Sequence, residues 1–378
     1  MKIKAIKSTP RLEPRNDRSL GVQTYGENND YPQRVRDICG VSGTGKSCLR
    51  TYYKFINGRG FTDKGFYKAI INDEEQTTDY ILSQISRDYA QYGGFALHVN
   101  YNGLYKIVTV QHVPFETIRF QKLDDNAHFE KVATHPDWAR QNTALRPFKK
   151  EDIKWYDLFN PNPLEIEKQI NLAGGIDKWS GQIYYYSDAG EKTYPLPVFD
   201  AVLTDMSTEE GVSNVKYRNA RNNFFPAGAF VDKRNKPQTD KQEEDFEEML
   251  LQVQTDEKSC KIMSIKVESE EEIPQFIPFQ TQNYDKEFTY TESSIKNNIG
   301  EAFNQPPILR ARDVGANFGA DLMTNAYNFY NSVTDTERYA IERVFSEIFM
   351  WFYKPINPTN NYSILPLTFN IQVNVNNG

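Results

Sequence analysis

The chain has 378 residues, of which 39% are hydrophobic and 13% aromatic, and a net charge of −7 at pH 7. This length suffices for two or three domains with a sizeable core. The negative balance excludes tight binding of nucleic acid over a broad surface, and the three cysteines exclude a disulfide framework and fit a reducing cytoplasm. We expect neither a transmembrane helix nor a signal peptide, because long apolar runs are missing.

The N-terminal half predicts an α+β domain that follows a polar arm, residues 1–30. Asp30 as an N-cap, with Pro32 in the first turn, predicts a short helix. Apolar periodicity predicts further helices around 48–56 and 77–92. Residues 121–150 and 160–180 are expected to be irregular insertions. Runs of β-branched and aromatic residues predict strands at 95–99, 104–110, 117–120, 153–159, 183–187 and 193–196.

The middle of the chain predicts a separate acidic module. A polar helix is expected around 209–224. Residues 225–284 contain 7 Lys/Arg and 13 Asp/Glu, a difference of −6 that accounts for nearly all the excess negative charge. Within this segment, Thr239 and Gln242 form a capping box before a helix, and Lys261–Val267 alternates like a strand.

The clearest pattern lies at 285–353. A helical period ends at Pro306 and Pro307, because proline lacks an amide donor and its ring clashes with the preceding turn. A second helical period runs from Leu322 to Phe352, at about 1.5 Å per residue, and is either unbroken or kinked near 332–334. Between the two periods lies an aperiodic segment that contains Arg310, Arg312, Asp313, Gly315, Asn317 and Gly319.

Residues Gly40–Ser47 match the pattern G-x-x-x-x-G-K-[ST]. In a phosphate-binding loop, Gly45, Lys46 and Ser47 would hold a nucleotide after a buried parallel strand. Here the preceding segment Arg34–Cys39 carries three charges, which favours a small-residue turn between two helices. A P-loop NTPase stays the enzymatic alternative.

No other motif predicts chemistry. The four histidines have no metal-ligand spacing with the cysteines, and the acidic run Glu268–Glu272 is typical of a solvated face. We therefore expect no catalytic residue, no metal and no cofactor. Arg310 and Arg312 belong either to an ordinary surface loop or to a loop that meets a phosphate backbone.

Five segments, in this order, resemble tailed-bacteriophage portal proteins over about residues 30–370. The most specific is a helix ending in Ile-Gly-Glu-Ala-Phe-Asn-Gln-Pro-Pro-Ile-Leu, followed after a gap by a long helix. The segments are Asn29–Pro32, Phe55–Phe61, Gly103–Pro114, Asn222–Phe230 and Ile299–Leu309.

The resemblance implies a multidomain α+β portal fold. Its parts would be an N-terminal arm (1–30), a wing (31–200), a first stem helix (201–224), a clip (225–284), a second stem helix (285–305), a tunnel loop (306–318), and a long wing or crown helix with the C-terminal segment (319–378).

The resemblance also implies a non-enzymatic protein made in the bacterial host's cytoplasm and found in the virion. It would form a ring, usually a dodecamer, at one capsid vertex, as the channel for DNA packaging and ejection. Its partners would be double-stranded DNA without sequence preference, the terminase, the major capsid protein and a head–tail adaptor, and no membrane. Another kind of head–tail connector is a further alternative. Arg310, Arg312, Asp313 and Asn317 would face the DNA, and the loop hinges would be Pro306, Pro307, Gly315 and Gly319.

Overall fold

The computed structural model consists of two compact units, Met1–Thr204 with Asn298–Gly378, and Asp205–Asn297. No helix among the described residues is long and apolar enough to cross a membrane. The structure describes residues 12, 14–124, 128–139, 148–189, 193–221, 228–233, 262–267, 284–310 and 319–369.

Both units contain helices and strands. In chain order, the helices are α1 (Tyr31–Val41), α2 (Gly43–Asn57), α3 (Lys64–Tyr67), α4 (Thr78–Tyr92), α5 (Pro163–Ala173), α6 (Leu203–Arg221), α7 (Tyr284–Ala302), α8 (Ala320–Val333) and α9 (Asp335–Phe349). The strands are β1 (Asn16–Asp17), β2 (Val22–Gln23), β3 (Gly94–Tyr101), β4 (Ile107–Val113), β5 (Ile118–Phe120), β6 (Lys131–Thr134), β7 (Lys154–Leu158), β8 (Gln182–Ser187), β9 (Gly228–Lys233) and β10 (Ile262–Val267).

The helices α1, α2 and α4 form where the sequence predicts them. Pro32 lies in the first turn of α1, where its missing amide is not needed. Helix α2 ends at Gly58, whose φ of 56° lies in the left-handed region that favours glycine. A Cβ at Gly58 would lie 2.2 Å from the carbonyl oxygen of Leu365, so the close approach of the C-terminal segment also requires glycine.

A mixed sheet with strand order β4-β3-β8-β7-β6-β5 forms the centre of the first unit. The pair β3–β4 is the predicted hairpin, and β7 and β8 are the parallel pair, joined through α5 as parallel strands require a crossover. Helix α4 packs against β3, and Phe95, Leu97 and Val99 of that strand are fully buried.

Two of the predicted irregular insertions contain regular structure. Residues 121–150 include strand β6, and residues 160–180 include helix α5. The signals for α5 are present in the sequence: the Asn162 side chain accepts a hydrogen bond from the Leu164 amide at 3.0 Å, and Gly174 has a φ of 84° after the last turn. The prediction of irregular structure was wrong because these caps were not used.

The predicted strand at 193–196 was also wrong. Tyr194 instead turns into the core, where its ring stacks on Tyr25 at 4.1 Å and its hydroxyl donates to the Gln23 carbonyl at 2.8 Å. Tyr25 is buried as well, so the later part of the predicted N-terminal arm packs into the first unit. Burial of two large aromatic rings outweighs the β-propensity of this short segment.

The long helical period is interrupted at Thr334. The expectation of one unbroken helix was therefore wrong, and the alternative of a kink near 332–334 is confirmed. The Thr334 hydroxyl donates back to the Tyr330 carbonyl at 3.0 Å, which is a contact that bends helices. Buried Arg338 then donates to the Asn331 carbonyl at 2.6 Å and to the Phe55 carbonyl of α2 at 3.0 Å. The break is therefore tied to α2.

In the second unit, β9 and β10 form a parallel pair that aligns Gly228 with Ile262 and Lys233 with Val267. Strand β10 matches the predicted alternation at 261–267. Lys216 of α6 and Glu292 of α7 form an ion pair at 2.6 Å. The helix predicted after Thr239 and the acidic run at 268–272 lie outside the described residues.

Candidate functional site

Helix α7 ends in a capped turn just before the two prolines. Asn304 takes a left-handed φ of 49°, its amide donates to the Glu301 carbonyl at 2.8 Å, and the Gln305 amide donates to the Gly300 carbonyl at 3.0 Å. These two hydrogen bonds form a Schellman motif. Asn304 takes the left-handed position that glycine usually occupies in this motif, and proline often follows it. The turn therefore satisfies the last carbonyls of α7 and fixes the direction in which the chain leaves it.

Phe303 anchors this turn in the core of the first unit. Its side chain is 1% exposed, and its ring lies 5.0 Å from that of Phe199 and 5.9 Å from that of Tyr52 in α2. Its carbonyl accepts a hydrogen bond at 3.1 Å from the hydroxyl of Tyr330, a fully buried residue of α8. The turn is thus held by two other helices, and its position does not depend on the prolines alone.

Arg310 lies at the end of a short 3₁₀ turn, Pro307–Arg310, and folds back onto α7. A Cβ at Gly300 would lie 1.7 Å from the Arg310 Nη1 atom, so only glycine leaves room for the guanidinium in this position. The arginine predicted to meet a phosphate backbone is therefore half-buried and seated on its own helix at the start of the segment.

A groove of about 740 Å³ lies beside the turn. Its wall is mostly apolar and includes Pro306, Pro307 and two α8 residues of the predicted apolar stripe, Leu322 and Phe329. These α8 residues are 50% and 55% exposed, respectively, whereas Ala326 between them is buried. The apolar period of α8 is therefore only partly buried within one chain.

A half-buried carboxylate lies where α9 begins. Glu337 accepts a hydrogen bond from the Tyr52 hydroxyl at 2.6 Å. Burial raises the pKa of the Glu337 carboxyl, and the Tyr52 hydrogen bond acts against that rise. This contact joins α9 to the same face of α2 that carries Phe55, so it strengthens the anchoring of the turn.

The structure places only part of the predicted loop. Pro306, Pro307 and Arg310 lie together at the exit from α7, and Gly319 is the N-cap of α8 with an ordinary φ of −79°. The DNA-facing and hinge roles of these residues stay predictions. Four other predicted residues, Arg312, Asp313, Gly315 and Asn317, lie outside the described residues.

The P-loop-like stretch lies in a corner between α1 and α2, as the charged segment before it predicts. The chain enters the motif from a helix, Tyr31–Val41, and not from a strand. Ser42 is the N-cap of α2 and its hydroxyl accepts from the Gly45 amide at 2.9 Å, which removes a donor that a phosphate loop would use. Lys46 and Ser47 are exposed in the first turns of α2.

Two of the histidines make contacts within the fold. His112 lies 2.7 Å from Asp88, and the His98 Nε2 atom lies 2.6 Å from the Ser180 carbonyl oxygen. Within the part of the chain that the structure describes, no group of three histidine, cysteine or carboxylate side chains could hold a metal ion.

Sequence reasoning missed the residues that hold the turn. The Schellman cap could have been found from Asn304 directly before Gln-Pro-Pro. The seat of Arg310 on Gly300 and the hydrogen bond from Tyr330 could not, because they depend on how segments that are ten and twenty-seven positions apart meet in space.

No family model and no curated protein matches the sequence. Among solved structures, a chain from the virion of a native gene transfer agent particle aligns with 12% identity and a TM-score of 0.50, covering 91% of this chain and 85% of that one. A chain from the neck of an empty gene transfer agent particle aligns at 11% identity and a TM-score of 0.47, covering 91% and 85%. An HK97-family phage portal protein from Corynebacterium diphtheriae aligns at 9% identity and a TM-score of 0.41, covering 85% and 89%.

At 12% identity, the first alignment shows a shared fold. The α+β fold class that the sequence predicts is confirmed. The alignment covers most of both chains, so the shared fold is not limited to a single common motif.

Proposed function

We propose that this chain is the subunit of a portal ring, the channel through which double-stranded DNA enters and leaves a phage-like particle. The fold shared with a chain of a gene transfer agent virion, over most of both chains, is the observation that carries this proposal. The resemblance of the sequence segments to portal proteins supports it independently. In the ring, the chain would contact the terminase, the major capsid protein and a head–tail adaptor.

The geometry at the end of α7 suits a segment presented to moving DNA. The Schellman cap, Phe303 and the two prolines fix where the segment starts, and Gly319 caps the helix where it ends. Arginines repeated around a ring would meet phosphates from all sides without reading bases. The contact must be weak for DNA to pass, and the net charge of −7 keeps non-specific attraction low.

The test replaces Arg310 and Arg312 together with alanine. We expect ring assembly to be unchanged, because the substitutions leave in place the aromatic side chains that hold the turn, and we expect DNA packaging or retention to be altered. A matched control is the pair Arg34→Ala and Arg343→Ala, which removes the same charge from exposed positions of α1 and α9. Equal effects of the two pairs on packaging would contradict the channel role of the segment.

The proposal also excludes nucleotide hydrolysis by this chain. The phosphate-loop alternative needs a strand before Gly40, and the structure has a helix there. ATP hydrolysis by the purified protein that Lys46→Ala abolishes would favour the enzymatic alternative and contradict the proposal.

A further inference from the structure

The charge of the chain is unevenly distributed around α2. Between Asp37 and Asp63 there is no acidic residue, and this interval contains four cations, Lys46, Arg50, Lys54 and Arg59. The chain as a whole carries seven more acidic than basic side chains. An interval with a charge of +4 is therefore a local feature that the overall composition hides.

Helical geometry places three of these cations in one row. Lys46, Arg50 and Lys54 are four positions apart, so they follow one another along one face of α2, about 6 Å apart and about 12 Å from first to last. All three are exposed. The opposite face, with Cys48, Tyr52, Phe55 and Ile56, is buried, so the row points away from the core.

A fourth cation flanks this row from the neighbouring helix. The Arg87 guanidinium of α4 lies 5.2 Å from the centre of the Tyr53 ring, and the Tyr53 hydroxyl lies 3.1 Å from the Ser83 hydroxyl. Arg87 is exposed. Lys46, Arg50, Lys54 and Arg87 together are called the α2 basic face.

No carboxylate neutralises the α2 basic face within the described part of the chain. The ion pairs found there involve Arg36, His112, Lys131, Lys168, Lys216, Arg338 and Arg343, and none of the four cations of this face. On a chain with excess carboxylates, four neighbouring cations without an ion pair leave positive potential directed to solvent.

We propose that the α2 basic face binds the phosphate backbone of double-stranded DNA, weakly and without sequence preference. Lysine, arginine and serine side chains are common partners of phosphate oxygens, and exposed Ser47 lies beside the row. The first turn of α2 has no acidic residue, so the positive end of its helix dipole adds to the same potential.

The composition of the face favours DNA over an acidic protein. Protein interfaces have an apolar or aromatic centre and are depleted in lysine. None of the large hydrophobic residues of α2, which is described in full, is among the markedly exposed ones, whereas two of the four cations of the face are lysines. A surface made of cations and small polar groups matches a row of phosphates better than a protein contact.

This inference goes beyond the channel segment and does not require it. The α2 basic face and the double-proline turn share no residue. The two can therefore fail separately: the face could bind DNA in a chain that forms no channel, and a channel could work without the face.

The test measures binding of the full-length protein to a mixed-sequence duplex by fluorescence anisotropy across a salt series. The variant is the triple Lys46→Gln, Arg50→Gln and Lys54→Gln. We expect about tenfold weaker binding at moderate salt and a slope of log K against log salt reduced by about 2 to 3, because each lost phosphate contact removes about 0.9 from that slope.

The matched control is the triple Lys68→Gln, Lys122→Gln and Lys178→Gln, three exposed lysines outside the face. It changes the net charge by the same amount, so it reports the effect of overall charge alone. Thermal unfolding of both triples checks that the fold is kept. The first triple should reduce the slope by the same amount whether or not Arg310→Ala and Arg312→Ala are also present, because neither arginine belongs to the α2 basic face.

Equal losses in the two triples, or no loss in the first, would overturn the proposal. A poly-glutamate probe distinguishes an acidic protein partner from DNA. If poly-glutamate binds as tightly as the duplex and depends on the same three residues, the face recognises acidic protein and the assignment to DNA is wrong.

Discussion

The corner at Gly40–Ser47 and the turn at Phe303–Arg310 are two short motifs with opposite kinds of support. The corner is held locally, by the Ser42 cap on Gly45. The turn is held by distant parts of the chain, through Phe199, Tyr52 and Tyr330. The Gly40–Ser47 segment matches the P-loop motif at every position, yet it is the start of a helix. The Phe303–Arg310 segment matches no such motif, yet it lies where several helices meet.

The largest difference between the two regions should appear on deleting the Phe303 side chain. Phe303→Ala should lower the free energy of unfolding by about 3–5 kcal/mol, because it opens a cavity between Phe199 and Tyr52. The control Phe329→Ala, at a 55% exposed position on α8, should cost less than about 1 kcal/mol. Chemical denaturation measures both, and similar losses would contradict a buried anchor at the turn.

Removing one hydroxyl should weaken the turn more modestly. Tyr330→Phe deletes the hydrogen bond to the Phe303 carbonyl and leaves that buried acceptor without its donor, at a cost of about 1–2 kcal/mol. Tyr339→Phe, on a side chain that is 65% exposed, should be neutral. A neutral result for Tyr330→Phe would mean that the turn does not depend on α8.

The corner should respond to loss of its cap by about 1 kcal/mol. Ser42→Ala removes the acceptor for the Gly45 amide at the start of α2, and serine caps typically contribute this much. Ser47→Ala, one turn further along and exposed, is the control and should change stability by less than about 0.5 kcal/mol. A larger loss for Ser47→Ala would indicate that the motif has a role that the helical corner does not explain.

The smallest change in stability is expected at Gly300, although the local structure changes most there. Gly300→Ala places a Cβ where the Arg310 guanidinium lies, so that flexible side chain must move away. The better helix propensity of alanine, up to about 1 kcal/mol, should offset the lost contact. Gly211→Ala in α6 is the control, because nothing lies within 4 Å of the added Cβ. This single substitution should raise the stability of the protein.

A double-mutant cycle tests the Gly300 argument directly. If Arg310 rests on Gly300, then Gly300→Ala should have a more favourable effect on stability in the Arg310→Ala background than in the original chain. Additive effects of the two changes would contradict the contact.

The sequence predicted elements wherever local signals agreed with the fold. The start of α1 at Pro32, the end of α2 at Gly58 and the Asn-Gly hairpin are examples, and so is the end of the helical period before Pro306. It failed at Tyr194, where a β-prone segment serves the core, and at α5, where the caps around 163–173 were overlooked. The other features that the sequence did not predict depend on long-range contacts. For example, nothing near Thr334 in the sequence indicates that Arg338 connects the helix break to α2.

For the candidate site, residue types were predictable and their positions were not. The turn with its two prolines and the arginine after them could be predicted from the sequence. The seat of Arg310 on Gly300 could not, because it depends on where the 3₁₀ turn directs the chain. For Lys46, by contrast, the position could be predicted and the role could not. No phosphate loop surrounds this residue, but helical spacing aligns it with Arg50 and Lys54.

A single-particle reconstruction of the purified full-length protein tests the portal proposal most directly. We expect a closed ring with an axial hole, in which the segment from Pro306 to Arg310 is closer to the axis than α5 or the hairpin β3–β4. A protein that stays a single chain at micromolar concentration, or a ring with this segment on its outer rim, would contradict it.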